Sequence, residues 1–386
     1  MKKIFCFLTV MLMLIMLVSC SALVPPVQQG DDPFPGKIAI IVSATDQSTE
    51  EYNAAEHMVA KYGADKIILR TWPQNFMEEQ AKMISLVDEL AANKEIKALI
   101  INQAVWGTTR AVDKLLETRS DIFIVYCDPA ENIQEVLSRA NLVIMPNQYA
   151  DGVSLAHHAK AQGAETFVHY SFPRHMAMFD IAVRRDLIRQ TCEELGLQFV
   201  DAQAIDPTSE VGIDGARQFV LEDVREKISI YGKDTTFFAT NCGLQLPIIT
   251  AVMEGGAIFT RPCCPSPFHA FPEAFGIETD EGVDDISYVI SETSRIVAEH
   301  NMTGRVSNWP VPISMLYTTS AVEYAIKWIN GDVDDDLIDV SVLSGILDAA
   351  VKEATGSDIH VDIAQYGGEG VTHNRVLMLT LGYLNY

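Results

Sequence analysis

The segment 141–171 restarts the pattern of the chain near its middle. An apolar run at 142–145 ends at Pro146, an amphipathic stretch covers about 149–162, and a second strand-like run occupies 166–170. The apolar runs have the length of strands, whereas the amphipathic stretch has the length and spacing of a helix. Strand and helix also alternate before and after this segment. We therefore interpret it as the place where the chain leaves one α/β lobe and enters another.

Each half of the chain predicts a parallel sheet. The run 37–43 is almost wholly apolar, which is typical of a strand buried on both faces. Strands that alternate with helices imply right-handed crossovers. The first half has strands at 37–43, 66–70, 98–101 and 122–126, with helices at 49–62, 75–93 and 108–117. The second half has strands at 166–170, 197–202, 235–239 and 257–259, with helices at 179–195, 212–230 and 244–253.

The last part of the chain is expected to return across a hinge. Four prolines in 260–277 exclude a continuous helix or a central strand there. This loop either lines the cleft with Arg261, Phe268 and His269 or wraps the surface. The remaining pattern predicts helices at 283–300, 314–329 and 340–354, then a strand at 376–386.

These elements predict an α/β fold with two Rossmann-like lobes, whose parallel sheets are joined by a hinge of several crossings. The domain boundaries follow from the points at which the pattern restarts. We expect a first lobe made of 36–147 with about 280–335, and a second lobe made of 148–279 with about 336–386.

Polar residues follow several of the predicted strands, and ligands bind beyond the carboxyl ends of strands in such sheets. The loop after 98–101 places amides beside the ring of Trp106, which suits a small polar ligand; Trp106 packing between helices fits equally well. Arg174 is expected either to clamp an anion or hydroxyl groups or to form an ion pair. The predicted ligand-binding residues, which we expect to meet in one cleft, are Ser43, Thr45, Gln103, Trp106, Asp128, Gln148, Ser171, Arg174, His175, Asn241 and Gln245.

The N-terminus has the pattern of an export signal. Lys2 and Lys3 precede an apolar run of about 15 residues, which is shorter than the roughly 20 residues of a membrane-spanning helix. The end of the run at Ser19 and Cys20 resembles the lipobox of bacterial lipoproteins, which implies cleavage before Cys20 and acylation of its thiol. A plain signal peptide or a membrane anchor is the alternative. We assign 1–20 to a lipoprotein signal peptide and 21–36, rich in proline, glycine and acids, to a tether.

The charge of the chain limits its partners. A formal net charge of −24 disfavours nucleic acid, whose phosphates need Lys and Arg, and disfavours anionic lipid surfaces. The roughly 350 residues after the tether exceed one ordinary hydrophobic core and fit two lobes.

The cysteines do not predict a metal site. Besides Cys20, the expected mature chain has Cys127, Cys192, Cys242 and the adjacent pair Cys263 and Cys264, and none of them forms a CxxC motif. The adjacent pair is either a vicinal disulfide or two reduced cysteines. We expect no metal and no cofactor.

The layout resembles the type 1 periplasmic-binding-protein superfamily, which includes the solute receptors of ABC importers. The segment NQYADGVSLAHHAKAQGAETFVHYS is similar to its first crossing, with a helix start at Asp151 and Gly152 and a turn at Gly163. More narrowly, the chain resembles an uncharacterised family of bacterial lipoproteins with that fold. Regulators of the superfamily bind DNA through an added N-terminal helix-turn-helix, and here a signal peptide takes that place.

The resemblance implies a lipid-anchored, extracytoplasmic receptor that closes on a small polar ligand such as a sugar, a nucleoside or an amino-acid-like molecule. Its partners would be an ABC permease and the membrane, reached through the lipid on Cys20. The alternatives are an enzyme that uses the same cleft and a sensor lipoprotein without a transport role. The motifs GxSxG, HExxH, SxxK and the P-loop do not occur, so we expect binding and not catalysis.

Overall fold

Strands and helices alternate along the chain, as the sequence pattern predicted. The computed structural model describes residues 32–43, 50–278, 285–334, 337–367 and 374–386. The predicted signal peptide, Cys20 and the candidate residue Thr45 lie outside these ranges. The chain divides into Met1–Pro35 and a compact unit, Gly36–Tyr386, and the second unit contains every described strand and helix.

Most strands lie where they were predicted, but three short or edge strands near the end of the chain were not predicted, and the predicted strand 257–259 forms only isolated bridges. The strands are β1 (Lys37–Val42), β2 (Ile67–Thr71), β3 (Ile96–Asn102), β4 (Phe123–Cys127), β5 (Leu142–Pro146), β6 (Thr166–Ser171), β7 (Gln198–Gln203), β8 (Thr235–Ala239), β9 (Ser307–Asn308), β10 (Val361–Gln365), β11 (Val376–Leu381) and β12 (Leu384–Asn385).

The helices include several short ones that the sequence pattern did not predict. They are α1 (Glu50–Tyr62), α2 (Gln80–Ala92), α3 (Thr108–Leu116), α4 (Ile133–Leu137), α5 (Gln148–Ala161), α6 (Pro173–Met176), α7 (Phe179–Glu194), α8 (Gly212–Tyr231), α9 (Gln245–Gly255), α10 (Phe271–Phe275), α11 (Ile286–Glu299), α12 (Ile313–Ile329) and α13 (Val340–Thr355). None of these described helices has the length and hydropathy to span a bilayer.

The first lobe is built on a seven-stranded sheet with the order β10-β11-β5-β4-β3-β1-β2. Its strands run parallel except β10, which pairs antiparallel with β11. Every residue of β4, and every residue of β1 after Lys37, is buried because helices cover both faces of the sheet. This burial explains why the central strands read as unbroken apolar runs.

The second lobe has a smaller parallel sheet with the order β7-β6-β8. A parallel bridge between Thr236 and Ile258 places the segment around Ile258 beside β8. One face of the sheet packs against α8 and α9 through residues such as Phe237 and Ile248. The other face packs against α5 and α7 through residues such as Phe167.

The chain crosses between the two lobes at three places within the described ranges. The first crossing joins β5 to α5, the second joins β9 to α12, and the third joins β11 to β12. β9 and β12 pair antiparallel, so the second and third crossings run side by side. The expected fold class, two α/β lobes joined by a hinge of several crossings, is therefore confirmed.

The expected allocation of the last third of the chain needs correction. Helix α11 packs on the core of the second lobe through Val297, whereas β10 and β11 extend the sheet of the first lobe. The chain thus returns to the first lobe at the second crossing and not near residue 280, and it remains there through β11. The physical reason is that β11 is almost wholly buried and pairs in parallel with β5, whose outer edge would otherwise be open.

Candidate functional site

Two predicted residues meet at the carboxyl edge of the first sheet. Ser43 follows β1 and donates a hydrogen bond from Oγ to Oε1 of Gln103, which follows β3, at 3.2 Å. Gln103 in turn donates from Nε2 to Oε1 of Glu51 at 2.7 Å. Because β1 and β3 are neighbours, their ends bring these side chains together. Glu51, in the first turn of α1, is a site residue that the strand pattern could not indicate.

The backbone is strained at two adjacent strand ends. Gln103 has φ of 51° and Asp128, which follows β4, has φ of 46°. Side chains other than glycine rarely adopt this left-handed region, and such strain concentrates at ligand-binding and catalytic sites. Gln103 and Asp128 follow β3 and β4, which are neighbours in the sheet.

Asp128 lies in a concave region that we call the candidate cleft. Desolvation by the surrounding protein raises the pKa of its carboxyl group to about 6, helped by the charges of Glu51 and Cys264. The side chain nevertheless remains accessible to solvent. A carboxyl group that touches solvent but is flanked by protein on most sides occupies a concave surface. Cys264 belongs to the second lobe, so Asp128 faces the space between the lobes.

Glu50 connects the two lobes beside this cleft. Its Oε1 accepts a hydrogen bond from Oγ of Ser266 at 2.7 Å, and its Oε2 accepts one from Oγ of Ser314 at 3.1 Å. Ser266 lies in the proline-rich segment 260–277, and its carbonyl also accepts from Nδ2 of Asn308 at 2.6 Å. The segment therefore contacts the first lobe. Arg261 is fully buried, and a cleft-lining role for Phe268 and His269 stays a prediction.

Three cysteine sulfur atoms converge in the second lobe. Sγ of Cys242 lies 3.4 Å from Sγ of Cys263 and 3.4 Å from Sγ of Cys264, and the latter two are 3.9 Å apart. All three are free thiols. Hydrogen bonds from Cys242 and Cys263 lower the pKa of Cys264, and the charges of His269 and Arg184 lower it further. Neither alternative for the adjacent pair had included Cys242.

A buried ionic cluster lies next to the thiols. The carboxylate of Asp151 accepts a hydrogen bond from the guanidinium of Arg261, and its Oδ2 lies 3.8 Å from Nη1 of Arg184. The same Nη1 donates to Oε1 of Gln148 at 3.0 Å, which places this predicted residue against the cluster. The two guanidinium groups flank the ring of Phe238, each 5.4 Å from its centroid.

The approach of two helices makes the cluster possible. Asp151 is in α5 and Arg184 is in α7, and Gly152 follows Asp151. A Cβ atom at Gly152 would lie only 3.0 Å from the carbonyl oxygen of Arg184. The glycine therefore allows the two helices to pack closely enough for Arg184 to reach Asp151.

Ser171 and His175 form a second hydrogen-bonded group around Thr240. Oγ of Ser171 lies 2.9 Å from Oγ1 of Thr240, which is also 3.0 Å from Nδ1 of His175. Arg174 forms an ion pair beside this group, in which its guanidinium donates to both carboxylate oxygens of Asp206 at 2.7 and 2.9 Å. Ser171 also lines a groove of about 350 Å³ whose other walls are residues of the second lobe alone.

The remaining candidates have local structural contacts. Oδ1 of Asn241 accepts from the backbone N–H of Gly243 at 2.9 Å, and the buried Gln245 donates to the carbonyls of Ala239 and Asn241. The side chain of Trp106 is 55% exposed. The structure thus groups Ser43, Gln103 and Asp128, and separately Ser171 with His175, while a ligand role for each of the eleven residues stays a prediction.

Two lobes with parallel sheets, joined by a hinge of three crossings, form the fold of the type 1 periplasmic-binding proteins, as the resemblance implied. A comparison with known protein families assigns the chain to one of them. The chain belongs to the family described as "Protein of unknown function (DUF3798)", which matches residues 36–307.

The chain is also similar to several other proteins and solved structures. The chain is 32% identical over 169 residues to a protein of Treponema pallidum (strain Nichols) described as "Uncharacterized protein", which covers 44% of this chain and 78% of that protein. A crystal structure of a proposed transcriptional regulator from Clostridium difficile 630 has a TM-score of 0.83 at 21% identity and covers 92% of this chain and 99% of that one. That structure shares the fold. A periplasmic ribose ABC transporter protein from Conexibacter woesei DSM 14684 also matches, with a TM-score of 0.48, 12% identity and coverage of 92% and 94%.

Proposed function

We propose that the chain is a solute-binding protein, held outside the cytoplasm by a lipid on Cys20, whose lobes close on a small polar ligand for an ABC importer. The observation that carries this proposal is the strained pair Gln103 and Asp128 at adjacent strand ends, facing a loop of the second lobe. Each such backbone conformation costs about 1–3 kcal/mol and persists where the surrounding structure enforces it. We infer that the strain is retained because it holds the polar groups of these residues in a fixed position for a ligand.

Two carboxylates supply hydrogen-bond acceptors at these strand ends. Oε2 of Glu51 is buried without a hydrogen-bond partner in the described part of the chain, and Asp128 presents a second carboxylate. A buried acceptor without a donor costs about 1–3 kcal/mol, which a ligand that donates hydrogen bonds would recover. Sugars, nucleosides and amino-acid-like molecules carry such O–H or N–H groups. They are the ligand classes that we propose.

Closure of the hinge would follow from contacts to both lobes. A ligand shifts an open–closed equilibrium only as far as it binds the closed state more tightly than the open one. Gln103 and Asp128 supply contacts from the first lobe, and the loop at 260–270 together with His175 supplies them from the second. The three crossings provide the hinge, as in other two-lobed receptors.

Thermal unfolding in the presence of sugars, nucleosides, amino acids and short peptides tests the proposal. A ligand at 100 times its dissociation constant should add about 2.7 kcal/mol to the free energy of unfolding. Asp128→Asn should weaken the binding of that ligand about 10-fold or more, because it removes a charged acceptor without altering the shape of the side chain. Asparagine also tolerates a positive φ.

Asp88→Asn is the matched control, since Asp88 is an exposed carboxylate on the outer surface of the same lobe. The Asp88→Asn variant should bind the same ligand with the affinity of the unmodified chain. Equal affinities for the Asp88 and Asp128 variants would contradict the site. Turnover of a bound compound would instead favour an enzyme.

The lipid anchor has its own test. In cells that produce the full chain and are supplied with labelled palmitate, the unmodified chain should incorporate the label and Cys20→Ser should not, because the thiol of residue 20 would carry the acyl chains. Cys192→Ser, which alters a cysteine of the second lobe, should leave incorporation unchanged. An unmodified chain that takes up no label, or a Cys20 variant that takes up as much as the unmodified chain, would contradict the anchor.

A further inference from the structure

The three converging thiols have the spacing of metal ligands. In a tetrahedral zinc site each Zn–S bond is about 2.3 Å, so two sulfur ligands lie about 3.8 Å apart. The three sulfur–sulfur distances among Cys242, Cys263 and Cys264 are 3.4, 3.4 and 3.9 Å. They form a triangle of the size that one metal ion needs.

The candidate fourth ligand is His269, which lies close to two of the three thiols. One ring nitrogen of His269 and the sulfur atoms of Cys242 and Cys263 all lie within 4.8 Å of one another. The segment between Ser266 and His269 turns back on itself, because the backbone N–H of His269 donates to the carbonyl of Ser266 at 3.0 Å. This turn directs the imidazole towards the thiols.

We propose that Cys242, Cys263, Cys264 and His269 bind a thiophilic divalent cation of the zinc type. The set of three cysteines and one histidine is a common zinc ligand set. The inference goes beyond the solute-binding proposal and does not depend on it. The site opens to solvent through Cys242 and Cys264, which are both exposed, so an ion can reach it.

The fold explains why distant cysteines meet. Cys242 lies just beyond the carboxyl end of β8, and Cys263 and Cys264 lie beyond the extended segment that bridges to β8 at Ile258. Parallel neighbours end at the same edge of a sheet, so both loops reach one place. Helix α9 separates the two cysteine-bearing loops in sequence, so the site contains no CxxC motif.

An anionic metal centre would balance the charge next to the thiols. Arg184 and Arg261 share the single carboxylate of Asp151, so the buried cluster carries one uncompensated positive charge. Three thiolates and one divalent cation carry a net charge of −1. Arg261 also donates from Nη1 to the carbonyls of Pro262 and Cys263 at 2.6 and 3.4 Å, which fixes the loop that bears the two thiols.

Metal titration of the reduced, metal-free full chain tests the inference. Zn²⁺ should bind at one equivalent in competition with a chromophoric chelator. Co²⁺, used as a spectroscopic probe, should produce thiolate-to-metal absorption and the visible bands of tetrahedral coordination. Cys264→Ser and His269→Gln should each lower zinc affinity by about 100-fold or more. Removing a group that only supports a ligand already costs about 10- to 100-fold, and loss of a direct ligand should cost at least as much. Cys192→Ser, at a buried thiol outside the cluster, should leave affinity and spectrum unchanged.

Alkylation of the unmodified chain provides a readout that does not require folded variants. Zn²⁺ should protect Cys242, Cys263 and Cys264 from a thiol reagent, as read by mass spectrometry, with displacement by a chelator restoring reactivity. The inference is overturned if the reduced chain binds neither Zn²⁺ nor Co²⁺, if the cobalt spectrum lacks sulfur ligation, or if the cysteine and histidine variants bind like the unmodified chain.

Discussion

Replacement of Asp151 with asparagine should lower the free energy of unfolding by about 3–5 kcal/mol, as is usual when a buried ion loses its partner. The reason is that Asp151 is the shared counter-charge of two buried guanidinium groups, those of Arg184 and Arg261. Asparagine has nearly the same shape, so the loss is electrostatic and leaves no cavity. Urea unfolding, followed by circular dichroism, measures the change.

Replacing one of the two arginines should affect stability less than replacing the aspartate of this cluster. Arg261→Met removes one cation and leaves Asp151 with Arg184, a pair that is formally neutral. We therefore expect a smaller loss, about 2 kcal/mol, mainly from the hydrogen bonds of the guanidinium. The order of the two variants is the specific expectation, because a simple count of lost ion pairs would place Arg261→Met close to Asp151→Asn.

Asp206→Asn is the matched control for Asp151→Asn. Asp206 also pairs with an arginine, but half of the Arg174 side chain is exposed. Exposed pairs contribute about 0–1 kcal/mol, and the Oδ1 contacts to Thr208 survive the change. If the Asp151 and Asp206 variants lost equal stability, the cluster would not have the unbalanced charge that we assign to it.

The sequence predicted the sheet architecture because burial dictates composition. Strands such as β1 and β4, covered on both faces, must be apolar at nearly every position, and this is visible without coordinates. Strand β10 was missed because it lies at the edge of its sheet and has only one buried residue, Val361. The allocation of the last third failed for a different reason. The lobe to which a strand belongs depends on where the chain crosses the hinge. The local sequence pattern does not indicate the positions of these crossings.

Only those residues of the candidate site that directly follow parallel strands could be placed from the sequence. The carboxyl-end rule correctly predicted that Ser43, Gln103 and Asp128 lie near one another, because all three directly follow strands of one parallel sheet. Glu51 lies in a helix and is one of 52 acidic residues, so its sequence context carries no signal. The thiol cluster was missed because Cys242 lies 21 residues before Cys263 and 22 before Cys264 in the chain. A search for cysteines after neighbouring strands, in place of one for CxxC, would have found it.

Replacement of Asn102 with aspartate should cost about 3–5 kcal/mol of unfolding free energy at neutral pH, since it puts an unpaired charge in the protein interior. Asn102 is fully buried and donates from Nδ2 to the carbonyl of Ser314 and to Oγ1 of Thr318, both at 2.7 Å. These bonds tie the end of β3 to the start of α12, directly after the second crossing. A carboxylate has no hydrogen to donate, and it would face the carbonyl of Ser314 across the same distance.

The pH dependence of this variant distinguishes lost charge from lost shape. Burial raises the pKa of a carboxyl group, so the folded variant would bind a proton that the unfolded chain has released near pH 4. The deficit relative to the unmodified chain should therefore grow as pH rises above 4 and shrink as pH falls towards it.

Asn132→Asp is the control for Asn102→Asp, because Asn132 caps α4 from an exposed position by accepting from the N–H of Gln134, and aspartate caps equally well. It should change stability by less than about 0.5 kcal/mol.

Asn102→Asp should also weaken ligand binding, because Gln103 is the next residue and its positive φ depends on a fixed strand end. An Asn102 variant with unmodified stability and affinity would show that neither the hinge nor the strained loop depends on this contact.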